Sequence, residues 1–217
     1  PENIDVEVIA QVDATKRALS ANNHTSTHLL QSALKEVLGD HIQQKGSLVN
    51  EKLLRFDFSH FSKMSEAEIR QVEQIVNAKI RANIPLTEKR DIPIDEALSM
   101  GATALFGEKY GEQVRVIAFD PQYSIELCGG THVRATGEIG YFKITTESSV
   151  AAGVRRIEAV SAIEAEKVLG KQEDLLGSLN ELLKSPKDLV KTIEGLINEK
   201  NTLTKQVEGF QHQVTQQ

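Results

Sequence analysis

Val114-Arg115-Val116-Ile117-Ala118-Phe119, Ile125-Glu126-Leu127-Cys128, Tyr141-Phe142-Lys143-Ile144-Thr145 and Val154-Arg155-Arg156-Ile157-Glu158-Ala159-Val160 decide the fold class. Each is a short apolar run rich in β-branched or aromatic residues, the composition that suits a pleated, half-buried surface. Working upstream, Leu53-Leu54-Arg55-Phe56-Asp57-Phe58 reads as another strand, and residues 4–10 alternate apolar and polar as a half-buried strand does. Helices fall between them. Asn22 and Asn23 are good helix caps and predict a helix from His24 to about Leu38, stopped by Gly39. Ser65-Glu66-Ala67-Glu68 is a capping box, opening a helix with apolar residues at Ile69, Val72, Ile75, Val76 and Ile80 that ends at Asn83 and Pro85. A shorter helix is expected near Asp95 to Ser99. Short strands and helices without a regular βαβ alternation predict an α+β fold with a mostly antiparallel sheet and packed helices.

From about Ile163 the pattern becomes purely helical. Leu175, Leu176, Leu179, Leu182 and Leu183 form one stripe, and Ser185-Pro186-Lys187-Asp188 breaks and restarts the helix. Leu189, Ile193, Leu196, Leu203, Val207 and Phe210 follow alternating steps of four and three, interrupted by Lys200. The expected organisation is therefore a domain over residues 1–162, followed over residues 163–217 by a helical hairpin or coiled-coil arm. Those helices either pack on their own domain or meet a partner, for example a second copy of the chain.

Composition narrows the function classes. The chain has 217 residues and a formal net charge of −6, which argues against a general nucleic-acid binder but leaves room for a local basic patch. Aromatic residues make up 5% and Trp is absent, so base stacking is not the expected mode of recognition. No apolar run approaches the ~20 residues of a membrane span. The first residues resemble no secretory signal, and a chain starting at Pro1 rather than Met is expected to be a piece of a longer protein or one whose start was removed. A single cysteine, Cys128, permits no internal disulfide and fits a reducing cytoplasm.

Two elements carry chemistry: His24-Thr25-Ser26-Thr27-His28 and Cys128-Gly129-Gly130-Thr131-His132. Residues four apart on a helix lie one above the other, so His24 and His28 converge on one point, away from the stripe of Leu29, Leu30, Ala33, Leu34 and Val37. Gly129 and Gly130 allow a sharp turn that brings Cys128 and His132 together. Three imidazoles and a thiolate suit tetrahedral zinc, against the alternative of unrelated histidine pairs and a buried cysteine. A zinc protease would place Glu directly after the first histidine, where this chain has Thr25.

Both elements, together with Gln44-Lys45-Gly46-Ser47, Leu54-Arg55-Phe56-Asp57-Phe58, Ala104-Leu105-Phe106-Gly107-Glu108-Lys109-Tyr110-Gly111 and Ala152-Gly153-Val154-Arg155-Arg156-Ile157-Glu158, closely resemble the editing domain of alanyl-tRNA synthetases. The blocks occur in the family's order and span most of residues 1–160. The threonyl-tRNA synthetase editing domain shares the metal elements, but the Gly-Val-Arg-Arg-Ile-Glu block is more similar to the alanine family. The C-terminal helices resemble the arm that follows the editing domain.

The resemblance implies an α+β fold, Zn2+ held by His24, His28, Cys128 and His132, and hydrolysis of serine or glycine from mischarged tRNA(Ala) in the cytoplasm. It leaves two alternatives: a free-standing editing protein of the same family, or a zinc-stabilised module that binds tRNA or dimerises without activity. Gln44 matches the family's pocket glutamine, and Thr27 lies on the metal helix where its hydroxyl could face substrate. A site that hydrogen-bonds the serine hydroxyl discriminates against alanine, which lacks it. The bland alternatives are a solvated Gln44 and a Thr27 bonded to its own helix. Arg155 and Arg156 are candidates for phosphate, and Arg17 and Lys45 for a local tRNA patch, against ordinary surface charge. A zinc with four protein ligands braces the fold, positions the substrate or loosens one ligand for water; positioning is the reading favoured here.

Overall fold

The computed structural model describes residues 9–104 and 110–215. Residues 4–8 of the expected first strand and most of the block 104–111 lie outside that description, and residues 9 and 10 are not in a strand. The first element is a helix, α1 (Ala14–Leu38), capped by the Asp13 side chain, which accepts from the Lys16 amide. It begins at Ala14, well before the His24 expected from the two asparagines. Asn23 is not a cap. Its side chain is 1% exposed, donates to Asn50 O and accepts from the Ser161 hydroxyl, so it ties the helix to two distant segments. The turns before it carry no apolar stripe that would have marked them as helix.

β1 (Gln44–Val49) and β2 (Leu54–Ser59) form a hairpin closed by Asn50, whose side-chain oxygen accepts from the Lys52 and Leu53 amides. α2 (Glu66–Arg81) opens with both halves of the capping box read from Ser65 and Glu68. β3 (Thr87–Pro93), α3 (Ile94–Ser99), β4 (Gln113–Phe119), β5 (Ser124–Leu127) and a 3-10 turn at Thr136–Ile139 follow. β6 (Phe142–Ala151) and β7 (Val154–Ser161) then pair around a turn at Ala152 and Gly153. Among the described residues these strands pair antiparallel, in two sheets of order β1-β2-β7-β6 and β3-β4-β5, with one isolated parallel bridge between Thr103 and Glu126. The α+β class expected from the sequence holds.

Leu29, Leu30, Ala33 and Leu34 of α1 share one core with Phe56, Phe58, Val72, Val76, Phe142 and Ile157. Each fully buried Leu or Phe is worth roughly 1.5–3 kcal/mol, so burial rather than intrinsic propensity holds a helix as polar as α1 at the centre of the fold. The opposite side of α1 is covered too. Thr25, Ser26, Thr27, His28 and Gln31 are all buried, which a one-sided apolar stripe did not foretell.

The chain divides into two compact units between Glu166 and Lys167. The second is helical, as the sequence leads one to expect, with α4 (Ala162–Leu182) reaching into it and α5 (Leu189–Thr215) wholly inside. Leu196, Leu203, Val207 and Phe210 of the α5 stripe are each at least half exposed. No helix among the described residues is long and apolar enough to cross a membrane.

Candidate metal centre

His24 and His28 stand one helical turn apart on α1, and Cys128 and His132 lie on the segment leaving β5. The structure brings all four together: one ligand atom from each lies within 4.8 Å of the others. Cys128 Sγ is 3.5 Å from His24 Nε2 and 3.3 Å from His132 Nε2. In a tetrahedral site with zinc–sulfur and zinc–nitrogen bonds of about 2.3 and 2.0 Å, ligand atoms stand roughly 3.3–3.6 Å apart. The donor set and its spacing therefore fit a metal ion of that kind.

The two glycines divide the work differently from the expected sharp turn. Neither lies in the left-handed region, and a Cβ on Gly129 would meet nothing within 4 Å. A Cβ on Gly130 would lie 1.9 Å from His24 Cε1 and 2.3 Å from His24 Nδ1. Gly130 is there for closeness: only a hydrogen leaves room for the ring. Arg115 holds the loop from behind, donating through one terminal nitrogen to Cys128 O and Gly130 O while its Nε pairs with Glu88 at 2.6 Å.

A polar group of the chain also approaches each imidazole. His132 Nδ1 is 3.1 Å from Thr25 Oγ1, which in addition accepts from the Val133 amide. The Thr131 backbone hydrogen-bonds His24. His28 Nδ1 is buried without a hydrogen bond, and Glu126 Oε2 lies 3.4 Å from it, an ionic approach lacking hydrogen-bond alignment. Burial, reinforced by the neighbouring imidazoles and Arg115, lowers the pKa of His28 well below the usual range and that of His132 to about 3. Burial lowers His24 as well, partly offset by the Thr131 hydrogen bond. All three rings are therefore neutral near pH 7, the form that ligates metal. Burial raises Glu126 to about 7, against the opposing pull of Lys35 and the Ser124 hydroxyl.

The other expected residues are placed less uniformly. Gln44 is half-buried, donates to the Ser47 hydroxyl and lines a cleft of about 280 Å³ with Gln31, Lys35, Ile42 and Thr103. Thr27 is buried and its hydroxyl donates to Asn23 O, the local bond allowed as the bland alternative. Arg155 and Arg156 do not present open forks for phosphate: Arg155 grips both oxygens of Glu147, and Arg156 both of Asp57. Arg17 and Lys45 are exposed, with the Lys45 ammonium donating to Gln43. His41 and His60, outside the cluster, bond each other at 3.0 Å.

Thr25, Glu126 and Arg115 are the residues that sequence reasoning missed. Arg115 left a signal, a lone arginine inside an apolar strand. Thr25 leaves no signal in the sequence beyond the absence of glutamate at that position. Nothing in the sequence couples Glu126 to His28, because that contact exists only once β5 packs against α1.

Residues 114–158 match the family described as the threonyl and alanyl tRNA synthetase second additional domain. Nearly the whole chain aligns with alanine–tRNA ligases: 58% identity to that of Cytophaga hutchinsonii and 57% to that of Bacteroides thetaiotaomicron, each over 97% of this chain. The Salinibacter ruber enzyme is 60% identical over 74% of the chain. The chain is thus homologous to a segment of the alanine–tRNA ligases, spanning about 24% of the length of the first two relatives.

Proposed function

We propose that this chain hydrolyses the ester joining serine or glycine to mischarged tRNA(Ala), with Zn2+ held by His24, His28, Cys128 and His132. The observation that carries the reading is the convergence of three neutral imidazoles and one cysteine sulfur in a chain homologous to alanine–tRNA ligases. Bound there, zinc supplies a fixed positive charge that orients the aminoacyl group. The chain's own residues do the rest. Gly130 and Arg115 fix the Cys128 loop against α1. Gln44, at the edge of its cleft, is the candidate partner for the serine hydroxyl. Thr27, its proton committed to Asn23, retains only acceptor capacity toward a substrate. Aminoacyl esters are labile, so placing water and carbonyl correctly accounts for much of the required acceleration.

Transfer RNA contact falls first to Arg17 and Lys45, whose side chains are exposed. Arg155 and Arg156 join only by exchanging a carboxylate for a phosphate. The exposed α5 stripe offers a surface for a second copy of the chain. The domain over residues 1–162 carries the chemistry and residues 163–217 the arm, in the cytoplasm where the charged tRNA is found.

The test is release of amino acid from seryl-, glycyl- and alanyl-tRNA(Ala) by the purified chain, beside Cys128→Ala. Rapid release of serine or glycine with alanine spared, abolished in the variant, is the expected result. Equal activity without Cys128 overturns the role of the metal, and release of alanine at the same rate overturns the editing assignment.

A further inference from the structure

We infer that Glu126 is the positioning carboxylate and counter-charge of the metal centre, holding His28 through its Nδ1. The inference rests on the metal reading above and adds a residue with no part in the expected ligand set.

Glu126 is 5% exposed, and no lysine or arginine comes within ion-pair distance of it among the described residues. Lys35 acts on it only from farther away. Glu88, the other acid near the loop, already pairs with Arg115 and Arg90. A buried carboxylate without a cation is costly. Its polar neighbour is itself unsatisfied: His28 is 4% exposed and its Nδ1 has no hydrogen bond, with Glu126 Oε2 3.4 Å away. A buried carboxylate with no cation in ion-pair range and a buried ring nitrogen without a hydrogen bond face each other on the far side of a proposed ligand.

A divalent ion removes both problems at once. Binding through His28 Nε2 leaves the proton on Nδ1, which turns that nitrogen into a donor aimed at the carboxylate. A dication, one thiolate and three neutral imidazoles carry a net charge of +1, and Glu126 brings the buried assembly to zero. β5 delivers the counter-charge and the thiolate together, since Glu126 lies on that strand and Cys128 directly follows it.

Glu126→Gln keeps the shape and removes the charge. Zinc affinity of the purified chain is measured by competition with a chromophoric chelator, and the Co2+-loaded protein supplies an absorption spectrum. Zinc affinity falls ten- to a hundredfold, the Co2+ bands shift, and the metal-free protein unfolds at the same or a higher denaturant concentration than wild type. A residue that merely filled space would leave affinity, spectrum and metal-free stability unchanged in this isosteric variant. Unchanged affinity and spectrum in the variant, with tight binding by wild type, overturn the role of Glu126 while the metal centre stands. No competitive binding by wild type overturns both.

Discussion

Gly130→Ala is a one-methyl perturbation whose consequence can be worked from the structure. The new carbon would sit 1.9 Å from His24 Cε1, where nonbonded carbons stand about 3.5–4.0 Å apart. Relieving it moves the ring by roughly 1.5–2 Å, while metal–ligand distances tolerate about 0.2 Å. His24 therefore leaves the ligand set. If a structural zinc site contributes about 10–16 kcal/mol through four ligands, losing one costs about 3 kcal/mol, on the order of a hundredfold in affinity. The backbone itself is not strained by the change, because Gly130 has no left-handed φ. The fold should survive, and Gly129→Ala, which meets nothing within 4 Å, is the matched control. Chelator competition on wild type and both variants reads the outcome. Wild-type affinity in Gly130→Ala would refute the reasoning, as would an equal loss in the control.

Two further predictions follow from the same packing. Thr25→Val removes the buried hydroxyl that contacts the half-buried His132 Nδ1 and accepts from the buried Val133 amide; it should cost about 1–3 kcal/mol in urea unfolding and weaken zinc binding about tenfold. Removing metal from the wild-type chain with a strong chelator should lower the thermal midpoint by roughly 10 °C, since an ion at a thousand times its dissociation constant stabilises by about 4 kcal/mol; an unchanged midpoint would mean that no bound ion supports the fold.

The four residues that converge were legible in the sequence because helix geometry puts His24 and His28 on one face and because the Cys-Gly-Gly-Thr-His segment carries its own signature. The Ser65 capping box and the strands around β4 to β7 were equally plain. β1 and β3 were not: β1 is half-buried at best, β3 spells Thr-Glu-Lys-Arg-Asp-Ile-Pro, and each lies at the edge of its sheet with little to bury. Charged edge strands lack the alternation that marks a strand. Asn23 misled for the opposite reason, since a residue with strong local capping preference was recruited into a long-range contact. The outer partners of the imidazoles are fixed by tertiary packing alone, and so only the folded chain reveals them.

The metal centre is tested most directly by zinc-edge X-ray absorption on the purified chain. The account predicts one zinc per chain, with three nitrogen neighbours at about 2.0–2.1 Å and one sulfur at about 2.3 Å, the sulfur lost in Cys128→Ala. Zinc absent at stoichiometric amounts, or a shell without sulfur in the wild-type protein, would contradict it.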